Sequence, residues 1–198
     1  MASLCNLRSV PFQFVPGEIF EHQTLMLELH AVTSNDSEDF HAFIFRNLEK
    51  FRVPFPLTTE AVVQGLGETK LWIQRKKQDQ DEGRSLMILV RNRYTHEIVF
   101  VFSAFGFDWR VPKCEVAWMM DQKYEGLGLA TVVVGKMINY LFTKHGLNKI
   151  ICRIEPGNLR SEKLAERLHF IAEGTHVKDF KNGDDRLVDV TYYGLWRN

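Results

Sequence analysis

The chain has 198 residues, 45% hydrophobic and 25% charged, and its 25 lysines and arginines balance 25 aspartates and glutamates. That make-up suits a soluble globular domain with a full core, and zero formal charge leaves no overall field to argue for DNA, RNA or a membrane surface. Cys5, Cys114 and Cys152 are odd in number and widely spaced, with no C-x-x-C and no nearby histidine pair, which disfavours a disulfide framework and a metal site and favours a reducing cytoplasm.

Residues 1–23 read as a weakly patterned lead-in without a basic start or an apolar signal core. No run in the chain approaches the ~20 apolar residues needed to span a bilayer, so no export or membrane segment is expected. A first strand is predicted over 24–32, with Leu25, Leu27 and Leu29 on one face. Asn35 to Asp39 supply N-cap chemistry for a helix that turns Phe40, Phe43, Ile44 and Leu48 inward. Pro54 and Pro56 end it, and a second helix begins at Thr58 and reaches about residue 77. Its basic end, Arg75 to Lys77, is followed at once by Asp79, Asp81 and Glu82 and reads as a solvated terminus rather than a nucleic-acid patch. Strands are predicted near 85–91, 97–105 and 115–121. A helix then runs to about His145, burying Leu127, Ala130, Val134, Ile138 and Leu141 at spacings of three and four, with Gly146 suited to its C′ position. A strand at 148–155, a short helix at 159–168, and two strands at 171–180 and 186–196 around Asn182-Gly183 complete the order. No repeat or linker divides the chain, so one domain over 1–198 is expected.

The segment Lys123–Ala130, with Gly126 and Gly128, sits at a strand-to-helix turn. Glycines there let a ligand approach the main chain, and the orphan N–H groups and dipole of the helix start favour an anion such as a diphosphate. Three loops of this kind compete. A Walker loop fails, because Gly135-Lys136 lies inside the helix and is followed by Met137. A dinucleotide fingerprint wants a third glycine where Thr131 stands, and parallel β-α-β neighbours that the hairpin-rich order does not offer.

The third loop fits the whole order. Lys123-x-x-Gly126-x-Gly128 resembles the Q/R-x-x-G-x-G/A loop of the GNAT superfamily of acetyl-CoA-dependent N-acetyltransferases. Gly157-Asn158 to Ser161, then Leu164 to Leu168, His169-Phe170 and Glu173-Gly174, are similar to the signature of the RimJ/RimL type, whose members acetylate the N-termini of ribosomal proteins. Glu115 to Asp121, Leu27 to Val32 and Asp189 to Tyr193 resemble further strands of that family, so the likeness runs over about residues 24–196. Three positions depart from it: Lys123 replaces Gln or Arg, His169 replaces a glycine, and Phe100 stands where a glycine is common, so a more occluded acceptor side is expected.

The resemblance implies a mixed α/β fold: a mostly antiparallel twisted sheet of about seven strands, about four helices, and two strands splayed apart at the acetyl-CoA site. It implies that main-chain groups of Met119 and Met120 pair with the pantetheine arm. It also implies that the N–H groups of Tyr124, Glu125, Gly126, Leu127, Gly128 and Leu129, up to Ala130, cradle the pyrophosphate, with Lys123 adding a cation. Asn158 reads equally as an N-cap and as a residue ordering the cofactor. With no tyrosine in 159–168, Ser161 is the candidate general acid for the leaving thiolate. Glu115, on the strand beside the acetyl group, and Asp179 are candidate bases for the amine, directly or through water. Phe51, Phe55 and Phe105 are candidate walls of an acceptor pocket, while the seven histidines form no triad and read as packing, capping or solvated groups.

The function so implied is metal-free transfer of an acetyl group from acetyl-CoA, in a ternary complex, to a protein N-terminal α-amine. A small amine such as an antibiotic, polyamine or amino acid is the alternative acceptor. A non-catalytic acyl-CoA-binding module is the alternative from another class. No nucleic-acid or membrane partner is expected, and a homodimer is an expectation carried by the resemblance alone.

Overall fold

The computed structural model describes residues 17–197, so Cys5 and most of the lead-in lie outside the described residues. The strands are β1 (Glu18–His22), β2 (Leu25–Ala31), β3 (Ser85–Asn92), β4 (Ile98–Asp108), β5 (Lys113–Met120), β6 (Lys149–Ile154), β7 (Ile171–Lys181) and β8 (Leu187–Trp196). The helices are α1 (Ser37–Arg46), α2 (Leu48–Phe51), α3 (Pro56–Val63), α4 (Leu66–Asp81), α5 (Leu129–Lys144) and α6 (Leu159–Arg167). The strands form one sheet in the order β1-β2-β3-β4-β5-β6-β8-β7. Every neighbouring pair is antiparallel except β5 and β6.

Three elements differ from the sequence expectation, the first being the helix drawn through Leu48, which breaks at Asn47 into α1 and α2. The lead-in contains β1, which pairs with β2 from Glu18↔Leu29 to His22↔Leu25. Its charged, mostly exposed residues suit an edge strand and hide the alternation that marks a half-buried one. The predicted helix over 58–77 is two helices, parted at Gly65, whose φ of +117° a side-chain-bearing residue rarely adopts.

Side-chain alternation in the sheet makes two cores, one on each face. Phe100, Phe102, Val116 and Cys152 pack under α5 and α6 with Leu129, Val133, Met137, Leu164 and Ala165. Leu89, Val101 and Met119 pack under α1–α4 with Phe40, Phe43, Phe51 and Ile73. Phe100 is therefore on the α5 face and fully buried, and it does not occlude the opposite, Glu115-bearing face as expected.

The break that positions the site lies in the middle of the sheet. β5 and β6 pair only at Lys113↔Lys149, Cys114↔Ile150 and Glu115↔Ile151. Beyond that point Val116–Met120 stay with β4, and Cys152–Ile154 stay with β8. The two strands part, leaving an unpaired edge on each side of a cleft.

Candidate active site

The glycine loop stands at the mouth of this cleft. Gly126 and Gly128 have φ of +79° and +75°, and the space where a Cβ would stand is open at both. The N–H groups of Tyr124 and Glu125 close a short 3-10 turn onto the carbonyls of Asp121 (3.0 Å) and Gln122 (3.3 Å). The first helical bonds of α5 run from Thr131 and Val132 to the Gly128 carbonyl. Gly126 to Ala130 is thus the stretch whose main-chain donors precede helical bonding, and it is narrower than the sequence suggests.

The loop is fixed from three sides. Asp121 is buried, takes the Lys123 N–H on Oδ1 (3.0 Å) and the Arg46 Nε–H on Oδ2 (2.5 Å). Burial pushes its carboxyl up, but the Lys123 N–H, the Arg46 guanidinium and Asn47 outweigh it and hold the acid below its ordinary range. Asn47 Oδ1 accepts the Gln122 N–H at 3.0 Å. From the far side, His22 Nε2 and Gln23 Nε2 reach the Leu127 carbonyl at 2.7 and 3.0 Å, so the unforeseen β1 end holds the loop.

Main-chain geometry corrects one candidate. The Asp121 N–H donates to the Val99 carbonyl at 3.0 Å. Alternation along an antiparallel pair then directs the main-chain groups of Met119 to its partner Val101 on β4. Those of Trp118 and Met120 face the cleft. The edge open to a strand-like ligand is Trp118 and Met120, not Met119.

Charged groups span the mouth. Lys50 on α2 donates to the Met120 carbonyl at 2.5 Å and is ion-paired with Glu125 Oε1. Glu125 Oε2 lies 2.5 Å from Nη1 of Arg160, in the first turn of α6. Lys123, by contrast, places its ammonium 3.7 Å from Glu97 and is well exposed. Asn158 caps α6, accepting the Ser161 N–H on Oδ1 at 3.3 Å, so the capping role is present and the Arg160 contact brings this turn to the loop.

A second cluster lies on the Glu115 face. Arg153 Nε donates to Glu115 Oε1 at 2.8 Å, and its Nη1 is 4.0 Å from Asp179 Oδ2. Tyr192 donates its hydroxyl to Asp179 Oδ2 at 2.8 Å, under the Arg153 guanidinium, and stacks on His176. Burial pushes the Glu115 carboxyl above its ordinary value, opposed by Arg153 and aided by the charge of Asp179. Phe105 pairs with Glu115 across β4–β5, and Phe55 meets Phe51 edge-on at 6.1 Å in the α1–α4 layer. The candidates therefore fall into two groups: Ser161 and Asn158 with the loop, and Glu115 and Asp179 with Arg153 on the other face.

Sequence reasoning missed Lys50, Arg153 and Arg160. Arg160 is inside the Asn158–Ser161 motif and was open to reading as a phosphate-side cation. Lys50 and Arg153 carry no local signal, because their places come from packing across the sheet.

A family model described as an acetyltransferase (GNAT) domain matches residues 26–171. The chain belongs to the GNAT acetyltransferase family. An uncharacterized N-acetyltransferase, p20 of Bacillus licheniformis, is 30% identical over 114 residues, which is 58% of this chain and 64% of that protein. The chain thus spans less than two thirds of that relative. Among solved structures, RimL, a ribosomal L7/L12 alpha-N-protein acetyltransferase in complex with coenzyme A, superposes with a TM-score of 0.78 at 19% identity, covering 90% of this chain and 98% of RimL. A chimera of the Vibrio cholerae spermidine N-acetyltransferase SpeG gives a TM-score of 0.69 at 18% identity, covering 86% and 95%. These GNAT likenesses establish the fold, and because they include acetyltransferases of proteins and of polyamines, the fold does not set the acceptor.

Proposed function

We propose that the chain is an acetyl-CoA-dependent N-acetyltransferase acting on the α-amine at a protein N-terminus. The observation that carries this reading is the parting of β5 from β6 after Glu115, beside a loop with open glycines. A long, thin ligand with a strand-like amide arm and a diphosphate fits that arrangement: two free main-chain edges for the arm, and the donors of Gly126–Ala130 for the anion. Bound acetyl-CoA supplies an acetyl thioester, and transfer forms an N–C bond, breaks the C–S bond, removes a proton from the amine and returns one to the thiolate.

The residues divide that work. Trp118 and Met120 hold the arm through their main chain, the second in place of its bond to Lys50. Glu115, at the point of divergence, accepts the amine proton directly or through a water. Arg153 keeps its carboxylate ionised against the pull of burial, and Asp179 orients the cluster through Tyr192 and Arg153. Ser161, in the α6 turn held by Asn158, returns a proton to the thiolate. Cys114 and Cys152 take no part, since burial pushes the Cys114 thiol up to about 12 and Cys152 further, and neither is a thiolate near neutrality.

The acceptor class is supported by a clasp across the Glu115 face. Past α2, Arg52 Nη1 meets Asp184 Oδ1 at 2.5 Å, and the Gly183 N–H donates to the Val53 carbonyl at 3.0 Å. Lys50 of α2 reaches the Met120 carbonyl of β5, while the β7–β8 hairpin joins the sheet beside β6, so the clasp links the two sides of the gap. An extended chain end enters such a passage end-on. A lysine within a chain brings flanking main chain on both sides.

Thiol release from acetyl-CoA, measured with a peptide bearing a free N-terminus, an N-blocked peptide bearing a lysine, and spermidine, tests the reading. Turnover is expected on the free N-terminus. Turnover only on spermidine or lysine overturns the acceptor class, and tight coenzyme binding with no turnover on any amine leaves a non-catalytic acyl-CoA-binding module.

A further inference from the structure

Glu125 occupies an unusual position for an acid. It is the residue before Gly126, at the start of the loop proposed above for an anion, and its carboxylate is largely withdrawn from solvent, its side chain 22% exposed. Each oxygen serves a different wall of the cleft: Oε1 meets Lys50 on α2, from the α1–α4 layer, and Oε2 meets Arg160 on α6, from the α5–α6 layer at 2.5 Å. Arg160 is otherwise exposed, at 76%, and Lys50 also covers the Met120 carbonyl, a cleft-facing group of β5.

A cofactor diphosphate on the Gly126–Ala130 donors would put a second anion next in the chain to Glu125 and beside the cations that its carboxylate holds. Like charges so placed repel in a partly desolvated site, while Lys50 and Arg160 are within reach of either anion. Glu125 gives each cation a single oxygen, Oε1 to Lys50 and Oε2 to Arg160, whereas a diphosphate can offer Arg160 the two oxygens that its planar fork takes at once. Moving Lys50 also uncovers the Met120 carbonyl for an amide donor.

We propose that Glu125 competes with the coenzyme A diphosphate for Lys50 and Arg160, setting coenzyme affinity and tying opening of the β5 edge to arrival of the phosphates. This inference rests on the acetyltransferase reading. In it, Glu125 weakens coenzyme binding, and Lys50 and Arg160 strengthen it. The carboxylate that spans the mouth is the element that a diphosphate displaces.

Calorimetric titration of the full chain with coenzyme A and with pantetheine, which lacks phosphate, tests it with Glu125→Gln, Arg160→Gln and the double variant. Glu125→Gln is expected to tighten coenzyme A roughly tenfold, the scale of one charge-assisted contact, and to tighten pantetheine much less. Arg160→Gln weakens coenzyme A, and weakens it more in the Glu125→Gln background, because no carboxylate then engages the guanidinium beforehand. Circular dichroism melting establishes that each variant is folded. Wild-type binding of coenzyme A with unchanged or weaker binding by folded Glu125→Gln, or an equal gain for pantetheine, overturns the inference and leaves the function standing. Failure of the wild type to bind coenzyme A overturns both.

Discussion

Glu115 is poised between opposing influences, and the balance sets when it can accept a proton. Burial raises its pKa, the Arg153 bond at 2.8 Å and its charge lower it, and Asp179 raises it again. The net value lies above the ordinary carboxylate, so the ionised form that the proposed base needs is lost as pH falls through a range higher than that of a solvated glutamate. Removing Arg153 takes away the lowering influence and leaves burial and Asp179 unopposed. Arg153→Gln is therefore expected to move the acidic limb of the kcat/KM profile to higher pH than in the wild type. Profiles of both proteins over the same range give the answer. An acidic limb that stays in place would remove Glu115 as the base.

At the scale of elements, the regular parts were legible in the sequence and the special ones were not. Of the predicted α5 stripe, Val134, Ile138 and Leu141 are buried, while Ala130 is half-buried and Leu127 is half-buried ahead of the helix. The loop glycines, read as places of close ligand approach, have left-handed backbone with open space at the Cβ position. β1 escaped because an edge strand carries charge where a central strand carries alternation. The cations of the site escaped because their partners are far away in sequence: Lys50 meets Glu125, and Arg153 meets Glu115. His169 shows how a departure from a motif is absorbed. It keeps the backbone of the glycine it replaces, with φ of +65°, just past α6, where its N–H bonds the Glu166 carbonyl at 2.9 Å. A Cβ in that conformation is strained, while glycine raises the entropy of the unfolded chain, and the two effects partly cancel. His169→Gly is expected to stabilise the fold by roughly 0.5–1 kcal/mol without changing its cooperativity. Urea melts would show this as a higher midpoint at constant slope, and a lower midpoint would mean that the imidazole makes a contact worth more than the strain.

Over the whole molecule, the split sheet behaves as two half-sheets joined at their base by three parallel pairs and tied again near the cleft by long-range contacts. Glu125 makes one tie, Arg153 on β6 with Glu115 on β5 makes a second, and the clasp between the loop after α2 and the β7–β8 hairpin makes a third. The Asn182-Gly183 pair illustrates why only half of this was readable. It does mark a hairpin, but the left-handed residue of the turn is Asp185, with φ of +62°, and Gly183 is needed for a different reason. A Cβ on Gly183 would lie 1.8 Å from the Arg52 carbonyl oxygen, a contact no side-chain movement relieves because that atom is main chain. Gly183→Ala must therefore push the hairpin off the α2–α3 loop, breaking the bond to Val53 and straining the Arg52–Asp184 pair. A loss of about 1–3 kcal/mol is expected, the scale of overpacking at one site and short of unfolding. If the clasp is what keeps main chain from lying across the passage, opening it admits acceptors that it now excludes. The ratio of turnover on an internal-lysine peptide to turnover on a free N-terminus should rise roughly tenfold, the equivalent of about 1.4 kcal/mol of discrimination. The two peptides are compared under kcat/KM conditions with wild type and Gly183→Ala at a temperature where both are folded. A ratio that does not change, with the variant shown to be destabilised, would mean that the clasp holds the half-sheets together and selects no acceptor.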